Sequence, residues 1–171
     1  MVEIEKFIWA FPFIGGIITL ISFLTPTACF FYQYPTYRTE FYRWMLDFYV
    51  SHVYYDTGVH TITVGLNTNL TGYISWLCSL LIITSSILII ISANNYRKGK
   101  LVAENKWLIF ALITITPTIA WMIMKEINTI NSFNHSFWGL LSPSFGIIGP
   151  FLGAGLEIVG FFLSMKERRR R

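Results

Sequence analysis

Two long runs of the chain carry no charge, one from Phe7 to Phe31 and one from Tyr73 to Tyr96. A hydrocarbon layer of about 30 Å needs about 20 helical residues at 1.5 Å each. Four stretches meet or approach that length: 7–30, 73–93, 107–124 and 145–165. Between the first two the period changes. Within YRWMLDFYVSHVYYDTGVHTITVGL, Tyr42, Trp44, Leu46, Phe48, Val50 and Tyr54 occupy even positions, while Arg43, Asp47 and Ser51 occupy odd ones. Period two predicts one long strand with an apolar face. Asp56-Thr57-Gly58 is a turn signal, after which Ile62, Val64 and Leu66 alternate with Thr61, Thr63 and Gly65 in a second strand. The pattern predicts an all-α membrane protein, a four-helix transmembrane bundle with a small extracellular antiparallel β-hairpin between helices 1 and 2. The chain reads as a single domain, 1–171, with the hairpin in an outer loop, 32–72, and a tail at 166–171.

Composition agrees: 54% of the 171 residues are hydrophobic, 18% aromatic and only 13% charged, too apolar for an ordinary soluble domain. The first run exceeds the roughly 7–15 residues of a signal-peptide core, and its flank (Glu3, Glu5, Lys6) is not positive, so it counts as a span. Lys6, Arg97, Lys98, Lys100, Lys106, Lys166 and Arg168 to Arg171 fall on one side of the spans, and Arg38, Arg43 and Lys125 on the other. Ten cations against three place both termini in the cytoplasm, with the plasma membrane as the expected location. Two glycosylation sequons, at Asn69 and Asn134, both fall on the outer side. The net charge of +4 is thereby a topology signal, and nucleic acid is not an expected partner. The run Arg168, Arg169, Arg170, Arg171 is expected to touch anionic lipid head groups, at about 1 kcal/mol per cation near the surface.

Four spans, cytoplasmic termini, a long strand-forming first outer loop and a short second one resemble the claudin and peripheral-myelin-protein superfamily. Trp44 with Leu46 echoes the tryptophan motif of that family's first loop, whereas its pair of loop cysteines has no counterpart in 32–72. The resemblance implies a structural or accessory membrane protein that acts through lateral and outer-loop contacts.

One acidic residue interrupts the fourth apolar stretch. Gly146, Pro150, Gly153, Glu157, Gly160 and Ser164 recur at alternating intervals of four and three, so they line one helix face. Gly149 and Gly153 add a Gly-x-x-x-Gly step suited to close helix packing. Glu157 lies eight residues, or about 12 Å, inside Met165. Ser85, Ser86, Thr114 and Thr116 fall at similar depth and predict an intramembrane polar layer. Glu157 is then a packing residue that fixes helix register, a proton or cation site, or a contact with a partner subunit.

Other constellations add little. Cys29 and Cys78 read as buried thiols or as one disulfide, with no Cys-x-x-Cys present. His52, Asp56 and His60 would align for a metal on a helix, but the strand pattern opposes one there, so neither metal nor cofactor is expected. Asp47 and Asp56 lack an evident catalytic partner. The expected function is that of a structural or interaction tetraspan protein in cell adhesion or membrane organisation. It would self-associate or serve another membrane protein as accessory subunit, through helix packing and the aromatic face of Tyr42, Trp44, Leu46, Phe48 and Val50. The alternative is a small ion or proton transporter or channel that uses Glu157.

Overall fold

A computed structural model describes residues 7–99 and 105–168. The elements run α1 (Ala10–Ser22), β1 (Ala28–Gln33), β2 (Tyr37–Arg43), β3 (Phe48–Tyr55), β4 (His60–Leu66), α2 (Leu70–Arg97), α3 (Asn105–Phe133), α4 (Phe137–Leu140), β5 (Ser142–Pro143) and α5 (Phe145–Arg168). The strands form one five-stranded antiparallel sheet in the order β4-β3-β2-β1-β5. The chain is a mixed α/β fold. This corrects the expectation of an all-α protein with a small hairpin.

Two local causes account for the difference. The first apolar run does not continue as helix to Phe30, because Pro26 disfavours a helical Thr25. Thr25 instead closes α1 by donating from both its amide and its hydroxyl to the Ser22 carbonyl, at 3.1 and 2.8 Å. Beyond it, Ala28–Gln33 forms a strand paired on both edges. The second cause lies at 44–47, where the expected long strand breaks. Asp47 takes φ of 63°, its amide donates to the Trp44 carbonyl at 3.0 Å, and Trp44 donates to Phe48 at 2.8 Å, so β2 and β3 become separate neighbours. The turn at 56–58 joins β3 to β4, with Gly58 at the left-handed φ of 81° that glycine accepts without strain.

Three helices, Leu70–Arg97, Asn105–Ser132 and Phe145–Arg168, are long and apolar enough to cross a membrane. With 13 residues, α1 rises only about 20 Å. Burial along these helices inverts the pattern of a soluble protein. Ser75, Ser79, Ser85, Ser86, Ser92, Thr114, Thr118, Glu157 and Ser164 are buried, while Leu80, Ile91, Leu112, Ile123, Leu152 and Phe162 are exposed. Water would make such a surface costly; lipid does not, since small polar residues then serve to bring helices together.

The chain divides into two compact units. One comprises the described part of Met1–Ile21, Leu80–Thr118 and Gly149–Arg171. Its core joins Ile8, Ile89, Trp107 and Phe161, with Trp107 donating its indole N–H to Ser92 Oγ at 2.9 Å. Here α1 and α5 meet through glycines: a Cβ on Gly15 would lie 2.5 Å from the Gly153 carbonyl oxygen, and one on Gly153 would lie 2.5 Å from that of Gly15. The other unit comprises Ser22–Ser79 and Ile119–Ile148, and holds the sheet.

Candidate functional site

The sheet unit is organised around Asp47. The left-handed turn aims its carboxylate inward, where Lys125 Nζ of α3 lies 2.6 Å from Oδ2 and Arg43 Nε donates to Oδ1 at 2.7 Å. The Asp47 side chain is fully buried, that of Lys125 is 1% exposed and that of Arg43 is 17% exposed. Aromatic rings line the cations: Lys125 Nζ lies 5.6 Å from the Trp121 centroid, and the Arg43 guanidinium 5.9 Å from that of Phe137. Trp121 and Phe137 meet edge to face at 6.1 Å. Two cations and one anion thus tie the β2–β3 turn to α3. Breaking such a buried cluster strands an uncompensated charge, which is costly even where the intact cluster adds little stability.

From this anchor the sheet extends as one layer with aromatic residues on both faces. On one face Phe30 stacks on Tyr32 at 5.9 Å, and Phe41 on Tyr49 at 5.6 Å. Tyr49 stands opposite Gly65 in β4 and its ring fills the space a side chain there would need. The other face carries Phe31, Glu40, Tyr42, Val50, His52, Tyr54, His60, Ile62 and Val64. Tyr42 donates to Glu40 Oε2 at 3.1 Å. Partial burial, and then that bond to a carboxylate, raise the Tyr42 phenol pKa above its ordinary value. Strand β4 is an edge: Ile62, Val64 and Leu66 are 56%, 61% and 46% exposed, and no charged residue occurs from Thr61 to Leu66.

The residues of the expected aromatic face are distributed differently from a single strand. Tyr42 and Val50 are cross-strand partners. Trp44 and Leu46 lie in the turn, with Trp44 donating to the Leu24 carbonyl at 3.3 Å and packing on Phe48 at 5.1 Å. Asn69 caps α2, its Oδ1 accepting from the Gly72 amide at 3.1 Å and from Thr71 Oγ1 at 2.6 Å. Asn134 ends α3 with φ of 55°, and Ser136 caps α4. Both sequon asparagines are exposed. Cys29 and Cys78 are free thiols.

In the helical unit Glu157 is 0% exposed, and neither carboxylate oxygen has a hydrogen-bond partner among the described residues. Of the hydroxyls expected beside it, two meet across helices without it. Ser85 and Thr114 hydroxyls bond each other at 2.8 Å, and Ser86 donates to the Ile82 carbonyl at 2.7 Å. Thr116 is exposed, which corrects its place in that layer; Thr118, one turn from Thr114, is the buried hydroxyl. On α5, Gly146, Gly149, Gly153 and Gly160 are all buried on the face that carries Glu157. Gly160 faces Pro12 Cδ of α1, while Gly146, which belongs to the sheet unit, faces the Thr25 and Pro26 carbonyls. Arg168 is exposed at the end of α5, and Arg169, Arg170 and Arg171 lie outside the described residues.

The buried ion cluster is the feature that spacing could not reveal, since 78 residues separate Asp47 from Lys125. The available signal was weak: Lys125 is a lone cation near the end of an apolar run, and Asp47 a lone acid in an apolar strand pattern. No protein-family model matches the chain, and no curated protein shows significant similarity to it.

Proposed function

We propose that this chain is a structural membrane protein that self-associates by pairing the edge strand β4 of one copy with β4 of another. The single observation that carries this reading is the open edge at β4, uncharged from Thr61 to Leu66 and with Ile62, Val64 and Leu66 exposed. Unblocked edges of this kind recruit a further strand. Self-pairing sets no like charges opposite one another, because that segment has none. The Asp47 cluster serves this role by fixing the sheet to α3, so that the edge is presented rigidly. On the same reading α1 makes a fourth crossing and both termini lie in the cytoplasm of a plasma-membrane protein. The apolar character of α1 and the ten-to-three division of cations support that placement. Kinship with the claudin and peripheral-myelin-protein superfamily is part of the proposal, supported by the strand-forming segment between α1 and α2.

The test is the native mass of the chain in mild detergent, by light scattering and native mass spectrometry. A homo-oligomer is expected, and Ile62→Lys with Val64→Lys should convert it to monomer with an unchanged circular dichroism spectrum. A monomeric wild type, or a variant that still assembles, overturns edge pairing. Stoichiometric co-elution of a different protein would instead make the chain an accessory subunit. A second reading, a proton or cation transporter, is favoured by Glu157 alone, buried without a partner. Flux into liposomes that is unaltered by Glu157→Gln would remove it.

A further inference from the structure

The hairpin brings together two of the chain's three histidines. His52 stands opposite Glu40 in β2 and Ile62 in β4, while His60 stands opposite Tyr54, so the two imidazoles are diagonal neighbours on one sheet face. His52 Nδ1 lies 3.2 Å from His60 Nε2, with the ring planes within 16° of each other. Tyr54 stacks on His60 at 4.2 Å, and Tyr42 meets His52 edge-on at 6.3 Å. Two paired strands and two aromatic neighbours therefore hold one nitrogen of each ring against the other.

That separation is the bite of a chelate. Zinc–imidazole bonds of about 2.0–2.1 Å at a tetrahedral angle put the two ligand nitrogens about 3.3 Å apart. We propose that His52 and His60 form a binding site for a borderline divalent cation, Zn2+ or Cu2+, on the exposed sheet face, with water completing the coordination shell. Imidazole suits both ions, and a site with two protein ligands stays open. In the metal-free pair one ring donates its N–H to the bare nitrogen of the other. On binding, that ring carries its proton on the far nitrogen instead, so both neutral rings direct a lone pair at the ion and no net proton is released. Arg38 and Glu40, also on this face, form an ion pair and cancel in charge. Glu40 additionally accepts from Tyr42. No group of three or more His, Cys, Asp or Glu with metal-binding geometry occurs among the described residues. Among the described residues the proposed site is therefore a two-histidine one.

The experiment uses the full chain without an affinity tag, in micelles, titrated with ZnCl2 by calorimetry and with CuCl2 by electron paramagnetic resonance. One ion per chain is expected, with a Cu2+ spectrum showing coupling to two nitrogens. His52→Gln and His60→Gln should each weaken Zn2+ binding about tenfold or more, and His135→Gln, altering the remaining histidine, should leave it unchanged. Absence of binding, wild-type affinity in either variant, or equal loss in His135→Gln overturns the proposal. So does an oxygen-only or one-nitrogen Cu2+ spectrum of the wild type, a readout that does not depend on any variant folding.

Discussion

Asp47 and Glu157 are both carboxylates at 0% exposure, yet their surroundings are opposite. Asp47 sits in a left-handed turn and contacts two cations. Glu157 sits in the middle of a helix, on a face of small residues, and contacts no donor among the described residues. The difference follows from the backbone. A turn can be bent until its side chain reaches a distant partner, whereas position 157 must point where the helix phase sends it. One carboxylate is thus part of what holds its unit together. The other costs its unit stability, because a buried polar group without a partner forfeits its hydration.

The largest effect should come from removing the charge of Asp47. Asparagine keeps the shape and tolerates the left-handed φ, so Asp47→Asn isolates electrostatics and strands Lys125 and Arg43. We expect a loss of about 3–5 kcal/mol, read as a lower thermal midpoint in micelles by circular dichroism. Adding Lys125→Met should restore part of it, since the stranded ammonium is then gone. Failure of the second change to restore any stability would show that Asp47 acts through backbone geometry and not through the ion cluster.

A smaller effect is expected where Glu157 meets its helix neighbours. Gly153→Ala drives a methyl into Thr19 Oγ1 and the Gly15 carbonyl, and should cost about 1–3 kcal/mol. Gly155, two residues along, has nothing within 4 Å of its absent Cβ. Alanine there should be neutral or stabilising by up to about 1 kcal/mol, through helix propensity alone. Equal behaviour of the two variants would mean that α1 and α5 are not in contact through this face.

How far the sequence discloses these features depends on whether they are local. The α5 face that buries Gly146, Gly153, Glu157 and Gly160 follows from spacing within one helix, and the turn at 56–58 from three adjacent residues. The apolar middles of α2, α3 and α5 follow from the runs at 73–93, 107–124 and 145–165, but α3 continues to Phe133 through Lys125, Glu126 and Asn128, where an apolar run no longer marks it. By contrast, β5 is two residues long and exists only because β1 lies beside it. The apolar run through Phe30 reads as a span that Pro26 only kinks, whereas α1 ends at Ser22, and the period-two run through 44–47 hides a turn. The pairing of His52 with His60 is intermediate: spacing by eight means nothing until the hairpin register is known. The Asp47 cluster joins residues from separate elements, so no period in the chain could announce it.

The smallest predicted change is opposite in sign to the first. Glu157→Met replaces the carboxylate with an unbranched apolar side chain of similar volume, and should stabilise the protein by about 1 kcal/mol, because a buried unsatisfied group is removed and its space is filled. Glu157→Gln should be near neutral, since an amide at that position is left as unpartnered as the carboxylate. A higher midpoint in Glu157→Met would mark a residue kept at a cost to stability, the usual signature of a functional group, and would turn attention to the flux assay. A lower midpoint would assign Glu157 to helix packing and leave the sheet edge as the part of the molecule that carries function.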